Sequence, residues 1–166
     1  MISLASNENP LGMPQSARQA AADALQTAGQ YPDATGADLK AALAERLGVP
    51  AGWLVLGSGS SEILTLTAQA CVQPGQGVVW SQYGFIVYGQ AAQLARGAAV
   101  VVPARDFGHD LGAMRAAVNV DTRLIFLANP NNPTGSFIDA AWLQGFIASV
   151  PPHVTRSEER RVGKEC

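Results

Sequence analysis

The sequence has little of what several functional guesses would need. Its two cysteines, Cys71 and Cys166, offer neither a metal-ligand spacing nor a disulfide framework. Charge is sparse: 11 Lys+Arg against 13 Asp+Glu give a net −2, so there is no electrostatic case for nucleic acid or an anionic membrane surface. Apolar runs such as Val100-Val101-Val102 are far too short to span a bilayer. The opening MISLASNENPLG lacks the basic region and apolar core of a secretion signal. These absences lead to the expectation of a cytoplasmic protein with no membrane and no nucleic-acid partner. Lysine is nearly absent too, with only Lys40 and Lys164.

What is there suffices for a core. The 166 residues are 48% hydrophobic, which fits one compact domain or one lobe of something larger. Charge gathers at the end, in RSEERRVGKEC. A solvated tail is the plain reading of a charged terminus. This one, however, looks like the translation of a sequencing adapter whose opening AGATCGGAAGAG encodes Arg-Ser-Glu-Glu. Residues 156–166 are therefore expected to be read-through, with the native sequence cut off near Thr155.

Between the ends, helix and strand patterns alternate. Helices are expected over Gln15–Ala28 behind Pro14, and over a second stretch with the stripe Leu39, Leu43 and Leu47. The second helix opens on a capping-box-like Thr35-Gly36-Ala37-Asp38. Further helices are expected over 61–72, 84–96, 110–118 and 139–149, the last two capped by Asp110 and Asp139. Strands are expected over 54–56, 77–80, 98–102 and 122–128, with another beginning near Val154. Apolar strands without clean alternation, interleaved with helices, argue an α/β domain with a mostly parallel sheet. Such sheets bind ligands beyond the carboxyl ends of their strands.

Candidate chemistry lies at those ends. GSGSSE, residues 57 to 62, offers glycines for close backbone approach and the hydroxyls of Ser60 and Ser61 beside helix N-terminal amides. That is a phosphate cradle, although a structural turn is as good a reading of the stretch alone. SQYGF puts Tyr83 at the next exit, where an aromatic ring is more often packing than a ligand platform. NPNNPTG follows the strand ending in Leu127 and Ala128. Its prolines restrict the backbone around Asn131 and Asn132, and seven residues of this composition exceed what a turn requires. A phosphate cradle, an aromatic face and a rigid amide together suit a planar, phosphorylated, oxygen-bearing ring, and pyridoxal 5'-phosphate fits that description.

SNENPLG, YPD, GSGSSE, the Tyr83 segment and NPNNPTG also occur in the order and spacing of the histidinol-phosphate aminotransferases, which this chain resembles over residues 2 to 155. The resemblance implies a partial large domain of the aspartate-aminotransferase-like, fold type I architecture. Residues 1–35 would be an N-terminal segment facing substrate and a dimer partner, and 36–155 the cofactor-binding part. It implies that Gly59, Ser60 and Ser61 hold the cofactor phosphate, Tyr83 stacks on the pyridine ring and Asn132 hydrogen-bonds its phenolic oxygen. Tyr31 would reach the cofactor phosphate of the neighbouring subunit in a homodimer, and Asn7 and Glu8 would lie on the substrate side. Glu62 matches a motif position, but negative charge is favoured in any first helical turn.

The family's reaction, amino transfer between histidinol phosphate and 2-oxoglutarate in histidine biosynthesis, needs a Schiff-base lysine that also moves protons at the substrate α-carbon. Lys40 falls on the solvated side of an early helix and Lys164 in the charged tail. The family's Asp-Glu-Ala-Tyr strand would begin where RSEERR stands. No catalytic residue is thus assigned in this chain, which is expected to be inactive alone. Aromatic amino acid aminotransferases and threonine-phosphate decarboxylase-like enzymes share these loops. A non-catalytic phosphate-binding module is the alternative of another class.

Overall fold

The computed structural model describes residues 7–159. They form two compact units that divide between Leu54 and Val55. The segment boundary expected at 35/36 falls inside the first unit.

That first unit is helical. Helix α1 covers Gln15–Ala24 behind Pro14, and a 3-10 turn, Leu25–Thr27, extends it. Helix α2 covers Ala37–Leu47. The expected capping box at 35–38 does not form, because an earlier carboxylate takes the work. Asp33 accepts from the backbone N–H of Thr35 (2.9 Å) and of Ala37 (2.8 Å), while Gly36 occupies the N-cap without a side-chain bond. These bonds hold the Asp33 carboxyl below its ordinary range. The Leu39–Leu43–Leu47 stripe is not a buried one either: Leu39 and Leu47 are exposed.

The second unit is built on a four-stranded sheet: β1 (Gly77–Ser81), β2 (Ala98–Val102), β3 (Thr122–Ala128) and β4 (Thr155–Glu159). The strand order is β2-β1-β3-β4 and every pairing is parallel. Helices α3 (Ser60–Cys71) and α4 (Val87–Leu94) supply one layer, α5 (Leu111–Ala116) and α6 (Ala140–Ser149) the other. Alternate strand residues feed opposite faces. Val78, Trp80, Leu124 and Phe126 pack with α3 and α4, including Leu64, Ala68 and Tyr88. Val79, Ile125 and Leu127 pack with Met114, Leu143 and Phe146. Both faces are covered, which is why β1 and β3 read as continuous apolar runs. Tyr88 stacks on Phe126 with ring centroids 4.7 Å apart, worth about 0.5–1.5 kcal/mol beyond burial.

Sequence and structure differ at the boundary before this unit, at the start of α4 and in the residues that make up the last strand. Residues 54–56 are not a paired strand. Leu54 is extended, but a 3-10 turn over Ala51–Trp53 leaves a segment too short to ladder. Helix α4 begins at Val87 rather than Gly84, because Gly84 closes a turn by donating to the Ser81 carbonyl at 2.7 Å. The strand expected near Val154 is present as Thr155–Glu159, so it includes residues assigned to the charged tail; residues 160–166 lie outside the described residues. Its polar residues are tolerated because the pairing with β3, from Leu124↔Thr155 to Ala128↔Glu159, is a backbone ladder at a sheet edge.

Candidate functional site

The carboxyl ends of β1, β2 and β3 meet in a linked set of loops. At the end of β1, residues 81 to 84 form the turn that Gly84 closes. A side chain on Gly84 would meet the Ser81 carbonyl and the Tyr88 ring, both at 3.0 Å, so the turn sits tightly against the core. It holds Tyr83 at its crest, the residue 39% exposed. Gln82 adds a brace toward the neighbouring exit: its N–H donates to Val102 O (2.8 Å) and its Oε1 accepts from Ala104 N (3.3 Å).

At the end of β3, the NPNNPTG loop uses its asparagines for different purposes. Asn129 closes the loop by a reciprocal pair, its Nδ2 donating to Ile138 O (2.9 Å) and its Oδ1 accepting from Ile138 N (2.8 Å). Asn131 is buried, and its Nδ2 donates to the Tyr83 carbonyl (3.0 Å) and to Thr134 Oγ1 (2.8 Å). Its backbone N–H reaches Ser136 O and its carbonyl accepts from Gly135 N, each at 2.8 Å. Its Oδ1 is buried with no partner. Asn132, half-buried, follows directly. Asn131 therefore joins the Tyr83 turn to the loop that carries Asn132, the two residues to which the resemblance gives the ring and the phenolic oxygen.

The end of β2 was not read as part of the site. There Arg105 and Gly108 pair as an antiparallel bridge around Asp106 and Phe107. Both of those residues have left-handed backbones, φ 49° and 59°, at a cost of about 1–3 kcal/mol each for non-glycine residues. The Phe107 ring lies 5.5 Å from the Tyr83 ring, tilted by 30°. Ser81 Oγ touches Gly108 O at 3.4 Å. His109 comes next, its Nε2 donating to Ala128 O at 2.9 Å, the last strand residue before NPNNPTG. Burial pushes the imidazole down from its ordinary value of 6.5, the Ala128 bond opposing. The ring is thus a neutral donor, with Nδ1 buried and unpartnered.

The phosphate-cradle candidate opens α3. Gly59 is its N-cap with φ 83°, a conformation that a side chain would strain, and open space surrounds the position of its missing Cβ. No side chain caps the helix. Ser60 and Ser61 occupy its first turn and are exposed. The one acid of that turn, Glu62, is tied back to the Ser58 N–H. Helix α3 enters β1 through the short loop 72–76 and shares its core cluster. It therefore runs antiparallel to β1, and its N-terminus lies toward the end of the sheet where Tyr83 leaves. Backbone amides and hydroxyls at the start of α3, the Tyr83 ring after β1 and the Asn132 amide after β3 are the kinds of group that a planar ring carrying a phosphate would need.

The remaining candidates lie in the first unit. Asn7 and Glu8 are exposed and lead into a turn built by Asn9, whose Oδ1 accepts from Leu11 N (3.0 Å) while its Nδ2 donates to Gly12 O (3.2 Å). Tyr31 is fully exposed. Lys40 lies on α2 and is half-buried rather than on a wholly solvated side. A cavity of about 390 Å³ lined by Arg105, His109, Asp110, Phe137, Asp139 and Trp142 contains none of the sequence-predicted residues. Asp110 and Asp139 there are committed to capping α5 and α6, each accepting a backbone N–H at 2.9 Å. Among the described residues there is no cluster fit to hold a metal and no helix long and apolar enough to cross a membrane.

The chain is also similar to known proteins. The chain is 58% identical over 154 residues to histidinol-phosphate aminotransferase 1 of Cupriavidus pinatubonensis, covering 93% of this chain and 41% of that protein. It is 57% identical, with the same coverage, to histidinol-phosphate aminotransferase 2 of Ralstonia nicotianae. The crystal structure of histidinol-phosphate aminotransferase from Sinorhizobium meliloti in complex with pyridoxal-5'-phosphate superposes with a TM-score of 0.87 at 30% identity, over 92% of this chain and 42% of that one. The chain thus spans about two fifths of the length of these relatives. The family model for aminotransferase class I and II matches residues 1–153, and the chain belongs to that family.

Proposed function

We propose that this chain is the cofactor-binding part of a pyridoxal-phosphate-dependent aminotransferase acting on histidinol phosphate and 2-oxoglutarate. The observation that carries the reading is the Asn131 bond to the Tyr83 carbonyl (3.0 Å). It ties the turn carrying the residue proposed to stack on the cofactor ring to the loop carrying the one proposed to bind its phenolic oxygen. When bound, the cofactor supplies an electron-withdrawing ring that stabilises negative charge at the substrate α-carbon. The chain's own residues bind and orient it. Amides and hydroxyls of Gly59, Ser60 and Ser61 hold the phosphate at the positive end of α3. Tyr83 covers one face of the ring and excludes water from it, and the Asn132 amide donates to the phenolic oxygen.

Tyr31, fully exposed, is proposed to serve the cofactor phosphate of a second subunit, which makes the working unit a homodimer. Asn7 and Glu8 are proposed to border the substrate. Identity of 57–58% to the two histidinol-phosphate aminotransferases favours their substrate over those of other aminotransferases. Lys40, on α2 of the first unit, is not proposed as the catalytic amine. The test is to continue the reading frame past Thr155 from the source DNA, express that protein and assay amino transfer from histidinol phosphate to 2-oxoglutarate. Turnover is expected from the longer protein and none from the 166-residue chain. Turnover by the 166-residue chain, or a longer protein preferring aromatic amino acids, would overturn the reading.

A further inference from the structure

Three non-glycine residues in the described chain have left-handed backbones: Arg96, Asp106 and Phe107. Two have local reasons. Arg96 ends the turn after α4, donating to Gln93 O at 2.9 Å, where left-handed residues commonly terminate helices. Asp106 belongs to a residue type that tolerates this region in tight turns. Phe107 has neither excuse, and a bulky side chain at positive φ is an outlier. Core packing does not explain it, since the side chain is 68% exposed. Nor does the turn, which glycine or asparagine would satisfy better. What the strained backbone achieves is the ring contact with Tyr83, centroids 5.5 Å apart and 30° from parallel.

We propose that Phe107 is a positioning residue that fixes the ring of Tyr83 for ligand stacking. Asn131 holds the Tyr83 backbone through its carbonyl, but a backbone bond leaves the ring free to rotate about χ1. Phe107 supplies the second point of a clamp. The turn that carries it is braced to the Tyr83 turn by Ser81 Oγ against Gly108 O and by Gln82 against Val102 and Ala104. Backbone and ring of Tyr83 are thus set by different strand exits. The ligand part of this inference rests on the proposed cofactor reading; the effect on the ring does not.

The test uses the 166-residue chain with Phe107→Gly and Phe107→Tyr. Glycine relieves the left-handed strain while deleting the ring, so a positioning residue and a packing residue give opposite results. The expected Tm of Phe107→Gly equals or exceeds that of the parent. Its Tyr83 ring protons move to free-tyrosine NMR positions with averaged χ1 couplings, whereas parent and Phe107→Tyr keep ring-current-shifted signals and one rotamer. Affinity for pyridoxamine 5'-phosphate, read by calorimetry, falls about 3- to 10-fold in Phe107→Gly, with affinity for inorganic phosphate unchanged. A drop in Tm, or Tyr83 signals identical in parent and Phe107→Gly, overturns the proposal, as does an equal loss for both ligands. If the parent binds neither ligand, the cofactor reading fails for this chain, and the Tm and NMR results decide the role of Phe107.

Discussion

Residues 55–159 and residues 7–54 hold their candidate residues in different ways. The second unit closes around two clusters, one on each face of its sheet. In the first, none of the described residues is buried. Tyr83 and Asn132 accordingly sit on turns anchored to buried strands, with Asn131 between them. Asn7, Glu8 and Tyr31 sit on exposed chain stabilised by local bonds such as those of Asn9 and Asp33. The second unit thus holds the residues proposed for its part of the site in place before any ligand arrives. In the first unit, Asn7, Glu8 and Tyr31 are exposed and pack against no buried residue among those described there.

The largest effect separating the two units is expected in the core. Phe126→Ala removes a fully buried ring stacked on Tyr88 and should cost about 3–5 kcal/mol in urea unfolding. A cost below about 1 kcal/mol would mean that the second unit is not packed as described. Next comes Asn131→Ala, which leaves the Tyr83 carbonyl without its amide donor and should cost about 1–3 kcal/mol. It should also raise hydrogen exchange in both the Tyr83 turn and the NPNNPTG loop. Exchange rising in only one of them would show that Asn131 does not join them.

A smaller effect involves pH. The His109 value is lowered on folding, so the unfolded chain takes up a proton more readily than the folded one. Stability is then retained above the ordinary value of 6.5 and lost as pH falls below it. The urea midpoint should drop between about pH 7 and about pH 5.5, and His109→Gln, which keeps a donor for Ala128 O, should flatten that slope. An unchanged slope would assign the loss to other groups. The smallest effect belongs to the first unit: Leu39→Ala, at an exposed position, should change stability by less than about 0.5 kcal/mol. A cost near that of Phe126→Ala would erase the contrast between the units.

Much of the second unit was legible because its signals are local and redundant. The bounds of β3 and α6 follow from a doubly buried apolar run and from an aspartate placed to cap the next turn. Asp110 is read in the same way at α5. NPNNPTG announced a rigid loop, but composition could not say which asparagine does what. That depends on a bond across 48 positions of sequence, from Asn131 to the Tyr83 carbonyl. The Phe107 turn stayed hidden for a physical reason: its central residues adopt a conformation they do not favour, so preference points away from the observed structure. At α2 the capping pattern was sound, but Asp33 reached the Ala37 N–H first. The Leu39 stripe shows that helical periodicity indicates a face without indicating what covers it.

The central claim is that GSGSSE, Tyr83 and Asn132 form one binding surface at the carboxyl edge of the sheet. Calorimetric titration of the 166-residue chain with pyridoxamine 5'-phosphate, which needs no covalent tether, tests it most directly. Saturable binding is predicted, weakened by Tyr83→Ala through lost stacking and by the double change Ser60→Ala with Ser61→Ala through a weaker phosphate grip, the latter alone also reducing affinity for inorganic phosphate. No binding by the folded parent, or binding unchanged in both variants, would contradict the claim.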